Sequence, residues 1–133
     1  MVAAVCEWHE HHAAAAAEIE RRLSRGERAL VPAPALVEAY AVLTRLPSPH
    51  RLSPSDAWTV LKANFVTHAR LATLTGAAYR RLVQRLATEN IGGGRAYDAV
   101  IAQCAHRAGV AALLTFNRRH FEPAPEGVVI VEP

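Results

Sequence analysis

The sequence predicts an α/β domain built on a mainly parallel sheet flanked by helices. Three observations predict it. Segments with apolar residues at helical spacing alternate along the chain with short apolar runs. The runs Val110 to Phe116 and Val128 to Val131 are the strongest strand candidates. Helix start and stop signals, among them Ser53-Pro54, Thr75, Gly26 and Gly109, separate the segments. Helices alternating with short apolar strands place the helices on both faces of a parallel sheet. At 133 residues the chain has the size of one domain, so residues 1–133 are read as a single unit.

In chain order, Val2 to Arg25 reads as one helix. The run Ala13 to Ala17 has high helix propensity, Glu18, Glu20, Arg21 and Arg22 give a polar face, and Gly26 suits the stop. Arg28 to Val31 is a candidate strand. Pro34 fits the first position of a helix that runs to Arg45 and ends at Pro47-Ser48-Pro49. Ser53 is the expected N-cap of the next helix, with Pro54 at its first position and an end near Asn64. Thr67 to Leu74 is a candidate strand. Thr75 then caps a helix whose apolar stripe is Tyr79, Leu82, Val83 and Leu86, with Arg80, Arg81 and Arg85 on its other face. After the turn Gly92-Gly93-Gly94, a helix from Arg95 to Ala108 turns Val100, Ile101, Cys104 and Ala105 inward, and Gly109 closes it. Trp8 and Trp58 are expected in the core. The stripe Trp58, Leu61, Phe65 is at helical spacing and is a candidate partner contact.

Composition narrows the classes. At 51% hydrophobic and 20% charged the chain can bury a core and does not read as disordered. A net charge of +3 permits a polyanionic partner without demonstrating one. Two cysteines without metal-site spacing suggest neither a zinc site nor a disulfide framework, which points to a reducing cytoplasm. No apolar run approaches the roughly 20 residues of a membrane span. The opening Met1 to Cys6 is too short for a signal peptide and lacks its basic flank.

Two isolated acids carry the chemical signal. Ala33 to Leu43 is apolar except for Glu38, whose helical neighbours Pro34, Ala35, Ala41 and Val42 offer no partner. Asp98 is the only acid in Tyr97 to Ala102, with Ile101 and Ala102 at its i+3 and i+4 positions. A buried carboxylate is normally paired, protonated or bound to metal, so two such acids suggest a shared cation. Plainer readings stand beside this one: Asp98 as a first-turn acid favoured by the helix dipole, and Glu38 as an exposed residue on an otherwise buried helix. The third element is Leu113 to Phe121, an apolar strand that ends in Thr115 and Asn117 before Arg118 and Arg119. Ligands of open parallel sheets bind at such carboxyl ends. The Asn117 carbonyl is an acceptable ligand for a hard cation, or Asn117 is simply a turn residue.

Three segments in this order resemble the PIN-domain ribonucleases, specifically toxins of the VapC type: Leu36 to Leu46 around Glu38, Ile91 to Ala102 around Asp98, and Leu114 to Phe121 around Asn117. The similarity runs over nearly the whole chain. It implies a three-layer sandwich with a central parallel sheet. It also implies a Mg2+- or Mn2+-dependent endoribonuclease in which Glu38 and Asp98 take the second and third acidic positions of the family. Asn117 takes the fourth, and Thr115 matches a hydroxyl position beside the site. Arg95 and Arg118 are then candidates for holding RNA phosphates, with plain surface charge as the alternative. The partners it implies are RNA, a cognate antitoxin and a second copy of the chain.

The chain departs from the family pattern at its start. The family opens with a strand ending in Asp-Thr-Asn or Asp-Thr-Ser, and Met1 to Val5 matches only the segment after that motif. Absence of that strand would expose the backbone of its neighbours. A natural start upstream of Met1 is the favoured explanation. Rearranged strands and a degenerate relative that binds RNA or protein without cutting are the others.

Two further patterns are weaker than they look. His9-Glu10-His11-His12 lacks the fifth-position His of the zinc-protease motif, where Ala13 stands. Gly92-Gly93-Gly94 follows no strong strand and has the wrong spacing for a dinucleotide fingerprint. An unrelated small-molecule enzyme on a doubly wound sheet is the reading from a third class, since fold alone does not fix function.

Overall fold

The computed structural model describes residues 1–133. It is α/β with helices predominating, and it divides into two compact units, residues 1–71 and 72–133.

The first unit contains α1 (Val2–Val5), α2 (His12–Ser24), β1 (Leu30–Pro32), α3 (Ala33–Arg45), α4 (Pro54–Leu61), a π-helical turn (Lys62–Val66) and most of β2 (Arg70–Ala72). The single helix expected from Val2 to Arg25 is broken. Cys6 takes an extended conformation at the end of α1 (φ −108°, ψ 97°) and is buried against Ala39, Leu43, Ala57 and Leu61. Burying Cys6 in that cluster outweighs the alanine-rich propensity that favours one continuous helix. Side chains stitch the break: His12 Nδ1 lies 2.9 Å from the Ala3 carbonyl, and His9 Nδ1 accepts from the His11 amide at 3.1 Å.

α2 then ends as expected, with Gly26 in the left-handed region (φ +81°) that a Cβ disfavours. α3 starts with Pro34 in its first turn and buries Ala39 and Leu43. At α4, Ser53 Oγ accepts from the Asp56 amide at 3.1 Å, the N-cap its sequence predicts. The helix widens to a π turn from Lys62 rather than continuing as α-helix to Asn64. β2 is three residues long, shorter than the Thr67–Leu74 expectation, and pairs with β1, where the Arg70 amide donates to the Ala29 carbonyl at 3.1 Å.

Both tryptophans depart from the expected core positions. Trp8 is 48% exposed and stacks on His50 with ring centroids 4.1 Å apart; Trp58 is 49% exposed. The pair Leu61 and Phe65 packs into the unit's own cluster, so the stripe expected to meet a partner is largely spent on the core.

One ion-pair cluster gives the first unit a pH dependence. Glu18 accepts from Arg21 Nε and Arg22 Nε, each at 2.7 Å. These hydrogen bonds, with Arg21 the larger cause, hold its carboxyl at about 2 against an ordinary 4.5. The folded value lies below the unfolded one. The associated stability is therefore present above about 4.5 and is lost as pH falls through about 2. Carboxyl NMR titration is expected to place the Glu18 midpoint near 2, and a midpoint at the ordinary value would contradict the pairing.

The second unit contains α5 (Gly76–Thr88), α6 (Arg95–Arg107), β3 (Ala112–Leu114), a 3-10 turn (Arg118–Phe121) and β4 (Val129–Val131). Thr75 Oγ1 caps α5 by accepting from the Ala78 amide at 3.3 Å. Ala78, Leu82 and Leu86 on α5 pack against Cys104 of α6. Val83, read as part of that stripe, is 61% exposed, because the buried face follows positions 78, 82 and 86 instead. β3 and β4 run parallel with Leu113 opposite Ile130. Both residues are buried with Ala105, Phe121 and Val128, so α6 and the 3-10 turn cover this pair. Helices alternate with strands as expected, the strands are three residues each in two two-stranded sheets, and the β3–β4 pair is parallel. No helix is long and apolar enough to cross a membrane.

Candidate functional site

Glu38 stands on α3 of the first unit, on a stretch whose neighbours Val37 and Tyr40 are also exposed. Its carboxylate is exposed rather than buried, which fits the plainer of the two sequence readings. The nearby charge is the Met1 α-amino group. Burial holds that amine below its ordinary value, and the Glu38 carboxylate opposes the shift.

The other candidates lie in the second unit. Asp98 sits in the first turn of α6, where the helix dipole favours a carboxylate and no side chain caps the helix. Gly93, at φ +61°, turns the chain into this helix and its carbonyl accepts from the Ala96 amide. The Asp98 side chain is 20% exposed, and its Oδ2 lies 3.1 Å from His120 Nδ1. His120 belongs to the 3-10 turn that begins after Asn117, and its amide donates to the Asn117 carbonyl at 2.9 Å. Thr115 follows β3, and its hydroxyl oxygen accepts from the Asn117 amide at 3.0 Å. The end of β3 and the start of α6 are thus tied into one polar cluster: Asp98, His120, Asn117 and Thr115. The helix dipole that favours the Asp98 charge also supports its pairing with His120.

The arginines differ. Arg95 is exposed at the start of α6 and lines a cavity of about 460 Å³ with His120. Arg118 is engaged, its Nε donating to Glu122 at 3.0 Å. Both partners are more than half exposed, and a surface pair of this kind contributes little, so a phosphate can compete for Arg118.

Sequence reasoning missed His120. It lay inside the segment read as significant, but nothing in helical or strand periodicity shows that a 3-10 turn aims it at Asp98. The hydrogen bonds here run through the Asp98 carboxylate, the His120 ring, the Asn117 backbone and the Thr115 hydroxyl; carboxylate, amide and hydroxyl oxygens are ligand types that a hard divalent cation takes. In neither unit do three or more His, Cys, Asp or Glu side chains gather. Burial raises both thiols, Cys6 and Cys104, so neither is an available thiolate ligand.

Comparison with known proteins completes the picture. The sequence profile of the PIN domain matches residues 1–125. The chain is 40% identical over 122 residues to Ribonuclease VapC40 of Mycobacterium tuberculosis, in both strain CDC 1551 / Oshkosh and strain ATCC 25618 / H37Rv, covering 92% of this chain and 84% of the relative. It is 43% identical over 79 residues to Ribonuclease VapC27 of Mycobacterium tuberculosis (strain ATCC 25618 / H37Rv), covering 58% of this chain and 56% of that relative.

Proposed function

This chain belongs to the PIN domain family, and from that premise we propose that it is a Mg2+- or Mn2+-dependent endoribonuclease, the toxin of a toxin–antitoxin pair. The observation that carries the proposal is Asp98, a carboxylate four-fifths shielded at the start of α6 and tied through His120 to the turn that presents Asn117. The ribonuclease names of its relatives supply the substrate class.

In this reading the carboxylates of Glu38 and Asp98 are metal ligands, and Asn117 offers its amide oxygen directly or through water. A hard divalent cation held by them would supply Lewis-acid stabilisation of the charge that develops on the phosphoryl oxygens and activation of a water as nucleophile. The protein's own groups do the positioning. Thr115 fixes the Asn117 backbone, and Arg95 and Arg118 hold the flanking phosphates. His120 holds Asp98 Oδ2 and leaves the other carboxylate oxygen available. No side-chain nucleophile is required. A cognate antitoxin that covers the site, a second copy of the chain and a cytoplasmic location complete the proposal. The alternative, a PIN-like module that binds RNA or protein without cutting, draws on the absence of any group of three acids within either unit.

Metal removal separates the two. Incubating the purified chain with single-stranded RNA in Mg2+ or Mn2+ is expected to give internal cleavage that EDTA stops and added metal restores. RNA left intact under every metal condition contradicts the nuclease reading and favours the binding module.

A further inference from the structure

We propose that the cleft between α5 and α6 is an RNA-phosphate subsite that holds the strand away from the cleavage point. This rests on the nuclease reading and adds a second contact region to it. Arg81 and Arg85 lie four residues apart on α5, and Gln103 and Arg107 four apart on α6, so each pair presents side chains one above the other on its helix. Together they line a cavity of about 230 Å³ floored by Ala78 and Leu82. Three guanidiniums and one amide face this cavity, and no carboxylate does. Arg81 and Arg107 form no salt bridge, and Arg85 has only a loose one, 3.9 Å from Glu89. Guanidiniums converging on a small cavity, two of them without a salt bridge, suit a phosphate, whose oxygens accept from several forks at once.

The cavity shares Arg85 and Gln103 with a neighbouring one of about 460 Å³, which is lined by His120, the partner of Asp98. That larger space is chemically mixed. Arg95 and His106 face Glu89 and Glu126 across apolar surface from Ile91 and Pro123. Mixed polar edges and apolar walls suit a nucleoside, whereas the purely basic cleft suits the backbone. Single-stranded RNA matches this alternation of phosphate and base; an acidic protein segment offers charge without the planar bases.

The test measures binding of a short fluorescein-labelled single-stranded RNA in EDTA, so that no cleavage occurs, across a salt series. The chain is compared with Arg81→Gln/Arg85→Gln/Arg107→Gln and with Arg25→Gln/Arg28→Gln/Arg45→Gln, which removes the same charge from exposed positions of the first unit. The cleft triple is expected to weaken binding roughly tenfold or more. Its slope of log K against log salt should become shallower by about 0.7 for each phosphate that is no longer neutralised. The Arg→Lys triple should recover most of that slope, which also shows that loss of fold is not the cause. Equal effects of the two glutamine triples, no effect of either, or no RNA binding by the unaltered chain overturns the subsite. Intact RNA binding by the cleft triple together with loss of oligoglutamate binding assigns the cleft to an acidic peptide and overturns it as well. Metal-dependent cleavage by the unaltered chain, read separately, shows whether the nuclease reading survives such a result.

Discussion

Replacing Asp98 by Asn is expected to reduce RNA cleavage by about 100-fold or more while leaving the fold intact. The substitution keeps the shape of the side chain and its reach to His120, and removes one negative charge. Metal coordination is worth several kcal/mol to a phosphoryl transition state. Losing about 3 kcal/mol of that corresponds to a rate loss on the order of 100-fold. The structural cost is smaller. Asp98 contributes a first-turn interaction with the α6 dipole of about 0.3–1 kcal/mol, and its hydrogen bond to His120 can be rebuilt through the Asn amide. Circular dichroism should therefore be unchanged while cleavage collapses. Cleavage within a few-fold of the unaltered chain would remove Asp98 from the chemistry and return it to its helix-start role.

The largest expected effect on stability is Leu43→Ala. Leu43 is fully buried, in contact with the cluster of Cys6, Ala39, Ala57 and Leu61 that joins α1, α3 and α4. Truncating a buried leucine costs about 2–5 kcal/mol, the lost transfer energy plus that of the cavity. A domain of this size holds about 5–15 kcal/mol in all. A loss near 3 kcal/mol moves the urea midpoint down by about 1.5 M if the slope is unchanged. Val37→Ala, six residues earlier on the same helix but 67% exposed, should change the stability by no more than about 0.5 kcal/mol. Equal midpoint shifts would mean that the cluster around Leu43 does not hold the unit together.

Local chemistry was the legible part of this fold. Ser53 and Thr75 cap helices because short hydroxyl side chains reach the free amides of a first turn, and the amides they accept from belong to residues three positions on. Gly26 and Gly109 adopt positive φ where a helix has to end. The break at Cys6 was not legible, because it is decided by the residues Cys6 packs against in space and not by its neighbours in sequence. Strand length was over-read for a related reason. Val110 to Phe116 is apolar but for Thr115, yet the ladder lasts only as long as its partner, and β4 offers three residues.

At the candidate site, Glu38 and Asp98 were singled out by their isolation among apolar neighbours, and Thr115 and Asn117 by their place at the end of an apolar run; hydrogen bonds link Asp98 to His120, His120 to the Asn117 backbone and that backbone to Thr115. His120 and the Arg81, Arg85 and Arg107 cleft escaped notice because each depends on two elements meeting. On its own helix, Arg81 with Arg85 is indistinguishable from a solvated face, and only α6 turns the pair into a cavity.

The claim on which the function rests is that Glu38 and Asp98 both ligate the cation that cleavage requires. Titrating Mn2+ into the purified chain, and into Glu38→Gln and Asp98→Asn, with the free ion followed by electron paramagnetic resonance, measures this without RNA. The account predicts saturable binding that each replacement weakens by roughly tenfold or more. Mn2+ affinity left unchanged by both replacements contradicts it.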